Sequence, residues 1–118
     1  GEAALNFEYI VYRNGAKQRD IRFELSKEQF SLIVKQNCFY CGSPPQIRKR
    51  NYGTDSRING VDRVVNENGY TLDNCVPCCM ICNRAKGILP VSAFQAWVRR
   101  ITDFQAAVDR GVSRFGDE

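Results

Sequence analysis

The sequence contains no histidine. The side chain most often used as a general base near neutral pH is therefore absent, along with the commonest nitrogen ligand for a metal. No run of about 18 apolar residues occurs, so no membrane-spanning helix is expected. No basic segment followed by an apolar stretch opens the chain, which predicts a cytoplasmic protein that is not exported. Internal repeats, low-complexity tracts and domain linkers are also missing. With 43% hydrophobic residues, the 118-residue chain can bury a core. A chain this short still gains from a metal or disulfide staple.

Cysteine is what the sequence does have, at six residues. An even number admits three disulfides in an exported protein. Without an export signal, paired cysteines point to metal instead. Cys38-Phe-Tyr-Cys41-Gly42 and Cys79-Met-Ile-Cys82-Asn83 are two CxxC knuckles with 37 residues between them. Two residues between thiolates let one tight turn present both sulfurs to one ion. Two such turns complete a tetrahedral four-cysteine zinc site, and Gly42 suits the first turn. With all four positions filled by protein, that zinc is structural. Cys75 and Cys78 form a competing CxxC. The 79/82 pair is preferred, because Cys82 leads into a helical segment ending at Gly87, and Cys75 falls in a strand where an apolar thiol packs well.

Charge is unevenly placed. Residues 41–100 hold nine Lys/Arg against four Asp/Glu, and the remainder holds eight against nine. A local basic field suits a polyanion, although a solvated mixed surface reads almost the same way.

The periodicity predicts a helix over 3–18 carrying Ala4, Leu5, Tyr9, Tyr12 and Ala16. An alternating connector follows at Ile21, Phe23 and Leu25. Ser26 and Gln29 form a capping box that opens a helix over about 27–36. Asn68-Gly69 predicts a tight hairpin turn between Val61–Val65 and Tyr70–Val76. Pro90, Ser92 and Gln95 open a last helix, ending near Gly111. Its stripe of Phe94, Trp97, Val98, Ile101, Phe104 and Val108 reads as core packing. The predicted organisation is one domain over 1–118: an N-terminal helical segment (1–36), a zinc-stapled core (37–90) and a C-terminal helix (91–112).

Several motifs then fall in order: Cys38-x-x-Cys41, Asn59-Gly60-Val61-Asp62-Arg63-Val64, Asn66-x-x-Gly69-Tyr70-Thr71, and Asn74-Cys75-Val76-Pro77-Cys78-Cys79-x-x-Cys82-Asn83-x-x-Lys86-Gly87. This pattern resembles small phage and bacterial HNH endonucleases, closely over about 25–90. The resemblance implies an α+β fold with a ββα-metal (His-Me finger) core: a hairpin over about 58–65 and 70–76, a short helix over about 80–86, and zinc knuckles built from four cysteines. N-terminal helices and a C-terminal helix flank it. It also implies a metal-dependent DNA endonuclease of the nicking or homing type, with DNA as partner and no membrane or small-molecule cofactor. The implied catalytic set is Asp62, Arg63, Asn74 and Asn83. Asp62 and Asn83 offer oxygen ligands that suit Mg2+ or Mn2+. Asn74 can hold the loop between the strands. Arg63 offers a fork of donors matching a phosphate. Arg84 and Lys86 can meet adjacent phosphates, and Arg48, Lys49, Arg50 and Tyr52 form a basic loop suited to a duplex.

The sequence departs from the pattern where Arg63 stands in place of the usual histidine, because a guanidinium stays protonated and cannot act as base. Val65 also stands where relatives often carry a second acid. Two readings follow: a nuclease assisted by Asp55, Glu67, Tyr70 or a neighbouring phosphate, or a DNA-binding and regulatory module on the same scaffold. A disulfide scaffold is the third class. The last helix serves intramolecular packing or a dimer equally well, so monomer and dimer both stay open.

Overall fold

The computed structural model describes residues 1–49 and 55–116. The chain divides into two compact units, Gly1–Ile88 and Leu89–Glu118. The first unit opens with α1 (Glu2–Gln18) and α2 (Lys27–Val34). Two short antiparallel pairs follow, β1 (Gln46–Arg48) with β2 (Ser56–Ile58) and β3 (Gly60–Arg63) with β4 (Cys75–Cys78). The seven-residue α3 (Met80–Lys86) comes directly after β4. This is a mixed α+β fold, and β3, β4 and α3 make its ββα portion.

Helix α1 ends in a Schellman motif. The Ile21 N–H donates to Ala16 O at 2.8 Å, and the Asp20 N–H donates to Lys17 O at 3.1 Å. Asp20 takes the left-handed position with φ 54, a conformation that glycine adopts more easily. The predicted box at α2 is formed. The Gln29 N–H donates to Ser26 Oγ, and the Ser26 N–H donates to Gln29 Oε1. These caps fix both ends of the α1–α2 connector.

The core lies between the two helices and the ββα portion. Phe30, Ile33 and Val34 of α2 pack with Ala16, Leu25, Ile58, Val61, Tyr70 and Cys75. Aromatic rings link the elements. Tyr9 and Tyr12 of α1 stand 5.5 and 5.4 Å from the Phe30 ring, and Phe23 stands 5.5 Å from Tyr70. Such tilted contacts add to the area that the rings bury. In the connector, Phe23 bridges Tyr70 in parallel register, and the backbone approach there is close. A Cβ on Gly69 would stand 2.5 Å from Arg22 O, so only glycine fits.

The hairpin differs from its predicted form. Its strands pair Gly60 with Cys78 and Arg63 with Cys75. The connection is therefore the long segment 64–74, not a two-residue Asn-Gly turn. Tyr70 is drawn away from the hairpin ladder to bridge Phe23, so the Asn68-Gly69 pair never closes the strands.

The second unit is α4 (Val91–Asp109) with a short tail. Pro90 is its N-cap and no side chain caps it, so the predicted Ser92–Gln95 box does not form. The helix has already begun at Val91. The stripe predicted to be core is instead largely exposed: Trp97, Val98, Ile101 and Phe104 are each at least 38% accessible, and only Phe94 is buried. One helix has no second element within its own unit against which to bury such a face. Arg114 of the tail lies over the Phe104 ring at 5.2 Å.

Candidate active site and metal centre

The two knuckles converge. The sulfurs of Cys38, Cys41, Cys79 and Cys82 all lie within 4.8 Å of one another, and Cys41 and Cys79 are 3.7 Å apart. Four sulfurs around a zinc ion at ~2.3 Å would be about 3.8 Å apart. All six cysteines are unbridged. Gly42 supplies the left-handed turn (φ 77) and donates its N–H to Cys38 O at 2.9 Å. On the other side, Cys79 is the N-cap of α3, and its sulfur accepts the Cys82 N–H. Cys75 and Cys78 stay outside the cluster, buried in β4.

The thiols do not behave alike. The Ser43 hydroxyl and backbone N–H pull the Cys41 thiol down to about 6. Burial, then the adjoining Cys79 and Cys41 sulfurs, push the Cys82 thiol well up. Neighbouring thiolates this close cannot all carry charge unless a cation sits among them. The donor set and its spacing therefore fit a structural zinc ion. Burial raises Cys75 to about 11, as expected of a thiol that packs rather than ligates.

Asp62 stands one face away from the core. Val61 points into the apolar cluster, and strand alternation turns Asp62 to the opposite face. There the Tyr40 hydroxyl donates to Asp62 Oδ2 at 2.6 Å. The Lys86 ammonium lies 3.2 Å from Oδ2 and 3.5 Å from Oδ1. Tyr40 belongs to the first knuckle and Lys86 ends α3, so both arrive on elements tied to the sulfur cluster. Burial and the Asp62 carboxylate push the Tyr40 hydroxyl far above its ordinary range. It therefore remains a donor. The carboxylate keeps lone pairs to spare and suits an oxygen-seeking cation, although an ammonium already neighbours it.

The other predicted site residues are spread around this centre. The Asn74 amide is buried in the 64–74 segment. It accepts the Val65 N–H at 2.9 Å and donates to Val65 O and Gly69 O at 3.1 and 3.0 Å. Arg63 faces away from Asp62. Its Nη1 donates to Asn66 O and Asn68 O, and its guanidinium lies 5.2 Å from the Tyr70 ring centroid. Asn83 is exposed on α3, one turn before Lys86, with no side-chain hydrogen bond among the described residues.

The predicted phosphate contacts divide. Lys86 is 1% accessible and paired with Asp62, so it cannot meet a phosphate as predicted. Arg48 is half-buried and pairs with the buried Glu8 of α1 at 3.5 Å. Lys49 is exposed and paired with Asp55 at 3.0 Å, and Arg84 is exposed. Arg50 and Tyr52 lie outside the described residues. Tyr70, one of the predicted helpers, is buried in the aromatic cluster, where Arg19 donates to its hydroxyl.

Sequence reasoning missed Tyr40, the inward role of Lys86, and Glu8. Tyr40 was concealed as a spacer within CxxC. Glu8 did leave a signal: it stands four residues from both Ala4 and Tyr12, inside an apolar stripe, where a charge requires a partner.

The fold is HNH-like. It is similar to that of the rare-cutting HNH restriction endonuclease PacI, a protein described by its mechanism of DNA perturbation, with a TM-score of 0.63 and 23% identity. That likeness covers 92% of this chain and 82% of the other. The chain is also 35% identical over 97 residues to the uncharacterized protein R423 of Acanthamoeba polyphaga mimivirus. This match takes in 82% of the chain and only 17% of the viral protein's length. No protein-family model matches. No helix among the described residues is long and apolar enough to cross a membrane.

Proposed function

We propose that the chain is an HNH-type endonuclease that hydrolyses phosphodiester bonds in DNA and, acting as a single copy, nicks one strand. The observation carrying this reading is the buried Asp62, presented by β3 to Lys86 at the end of α3 and to Tyr40 of the first knuckle. The HNH-like fold supports it, as does the excess of basic residues over 41–100.

In this reading Asp62 and Asn83 hold Mg2+ or Mn2+, and that ion supplies charge to polarise a phosphate and steady a leaving oxygen. Tyr40 and Lys86 fix the rotamer of Asp62 from two sides. Asn74 keeps the 64–74 segment closed, and Arg63, at the end of β3, keeps donors beyond Nη1 for a phosphate. Exposed Lys49 and Arg84 extend the anion-binding surface, with Arg50 as a further candidate. Zinc has a structural role only.

A second reading has its own observation. The Asp62 charge is already matched by Lys86, and no histidine is present, which suits a module that binds DNA without cutting. Supercoiled plasmid with Mg2+ or Mn2+ separates the two. Nicking that disappears in Asp62→Ala and in chelator supports the enzyme. A mobility shift with no nicking supports the binder, and nicking that persists in Asp62→Ala contradicts the proposed site.

A further inference from the structure

Asp62 already has a cation of the protein's own. The Lys86 ammonium meets both carboxylate oxygens within 3.5 Å, and the two side chains are 0% and 8% accessible. We propose that Lys86 is the resident cation of the Asp62 site, and that its charge opposes the binding of a divalent ion there. This rests on reading Asp62 as a ligand for such an ion.

An ion coordinated by Asp62 would lie within a few ångströms of the ammonium, in surroundings where water screens little. Lys86 is poorly placed to withdraw. It ends a seven-residue helix whose N-cap is Cys79 and whose first turn holds Cys82, so the sulfur cluster fixes its anchor. Moving the ammonium away from Asp62 inside the fold would also leave a buried charge unpaired. The free protein therefore takes the ion weakly.

A phosphate brought to the same place adds the negative charge that offsets Lys86. Ion and DNA then load together, each raising the affinity for the other. Lys86 is a positioning residue in this scheme. It acts through Asp62 and is too deeply buried to touch a phosphate itself.

The test uses zinc-loaded protein and Mn2+, with free Mn2+ followed by electron paramagnetic resonance. Lys86→Met is expected to bind Mn2+ about tenfold or more tightly than the wild type, because the like charge is gone. Lys86→Arg keeps that charge and is expected to stay weak. The double variant Lys86→Met/Asp62→Asn, which removes both charges, is expected to lose the gained site. If Lys86→Met binds no more tightly while Asp62 substitution still weakens the wild type, the proposal is overturned and the metal reading stands. If Asp62 substitution changes Mn2+ binding in neither background, Asp62 is no ligand and both fail. Circular dichroism and zinc content check the fold of each variant. Should Lys86→Met not fold, the coupling is read on the wild type and Lys86→Arg. A short uncleavable phosphorothioate duplex raises their Mn2+ affinity at least about tenfold, and an unchanged affinity overturns the proposal.

Discussion

The two ends of the β3–β4 hairpin are held by different means. At the Gly60–Cys78 end, β4 runs straight into the second knuckle, whose two sulfurs converge with those of the first. At the Arg63–Cys75 end, the 64–74 segment is gathered by one amide, that of Asn74, through three hydrogen bonds. The first end depends on a ligand from outside the chain, and the second on a buried polar group with all its partners supplied by the chain. Asp62 sits between them, so both ends set where its carboxylate points.

Breaking the sulfur end should have the largest effect. Cys79→Ser, or zinc removal by a strong chelator, takes away a binding energy of order 10 kcal/mol. The expected outcome is loss of α3 and of cooperative melting in the 1–88 unit, seen by circular dichroism. Cys75→Ser should leave zinc content unchanged. Breaking the amide end should cost less. Asn74→Ala strands the Val65 N–H and two carbonyls inside the fold and should destabilise by about 3 kcal/mol in denaturant titration. If Asn74→Ala proved as damaging as Cys79→Ser, the contrast between the ends would be lost.

Two substitutions away from both ends should have smaller effects. Ser26→Ala removes the α2 box and should cost about 1 kcal/mol without altering zinc content. Asp20→Gly relieves a left-handed position on a non-glycine residue and should raise stability by about 0.5–1 kcal/mol. Thermal melts of both variants check these signs.

The two ends also differ in how openly the sequence announces them. Cysteine spacing is a local code, so the choice of Cys79 and Cys82 over Cys75 and Cys78 was readable from the chain. The α1 and α2 helices were equally legible, from apolar periodicity and from the Ser26–Gln29 box. Non-local pairings were not. The Asn68-Gly69 pair looks like a hairpin turn until Phe23, some 45 residues earlier, claims Tyr70. Lys86 looks like a surface cation at the end of a short helix until the fold brings it over Asp62. Tyr40 is a spacer in its own motif and becomes part of the site only when the knuckle meets β3. The α4 stripe shows the converse. Its period is correct for a buried face, but periodicity does not say whether a partner element exists.

The most direct measurement is native mass spectrometry of the purified chain with thiol counting. One zinc per chain is expected, with six reduced cysteines after acid release of the metal and loss of that zinc in Cys79→Ser but not in Cys75→Ser. A metal-free chain lighter by six hydrogens, with its cysteines paired as disulfides, would contradict it.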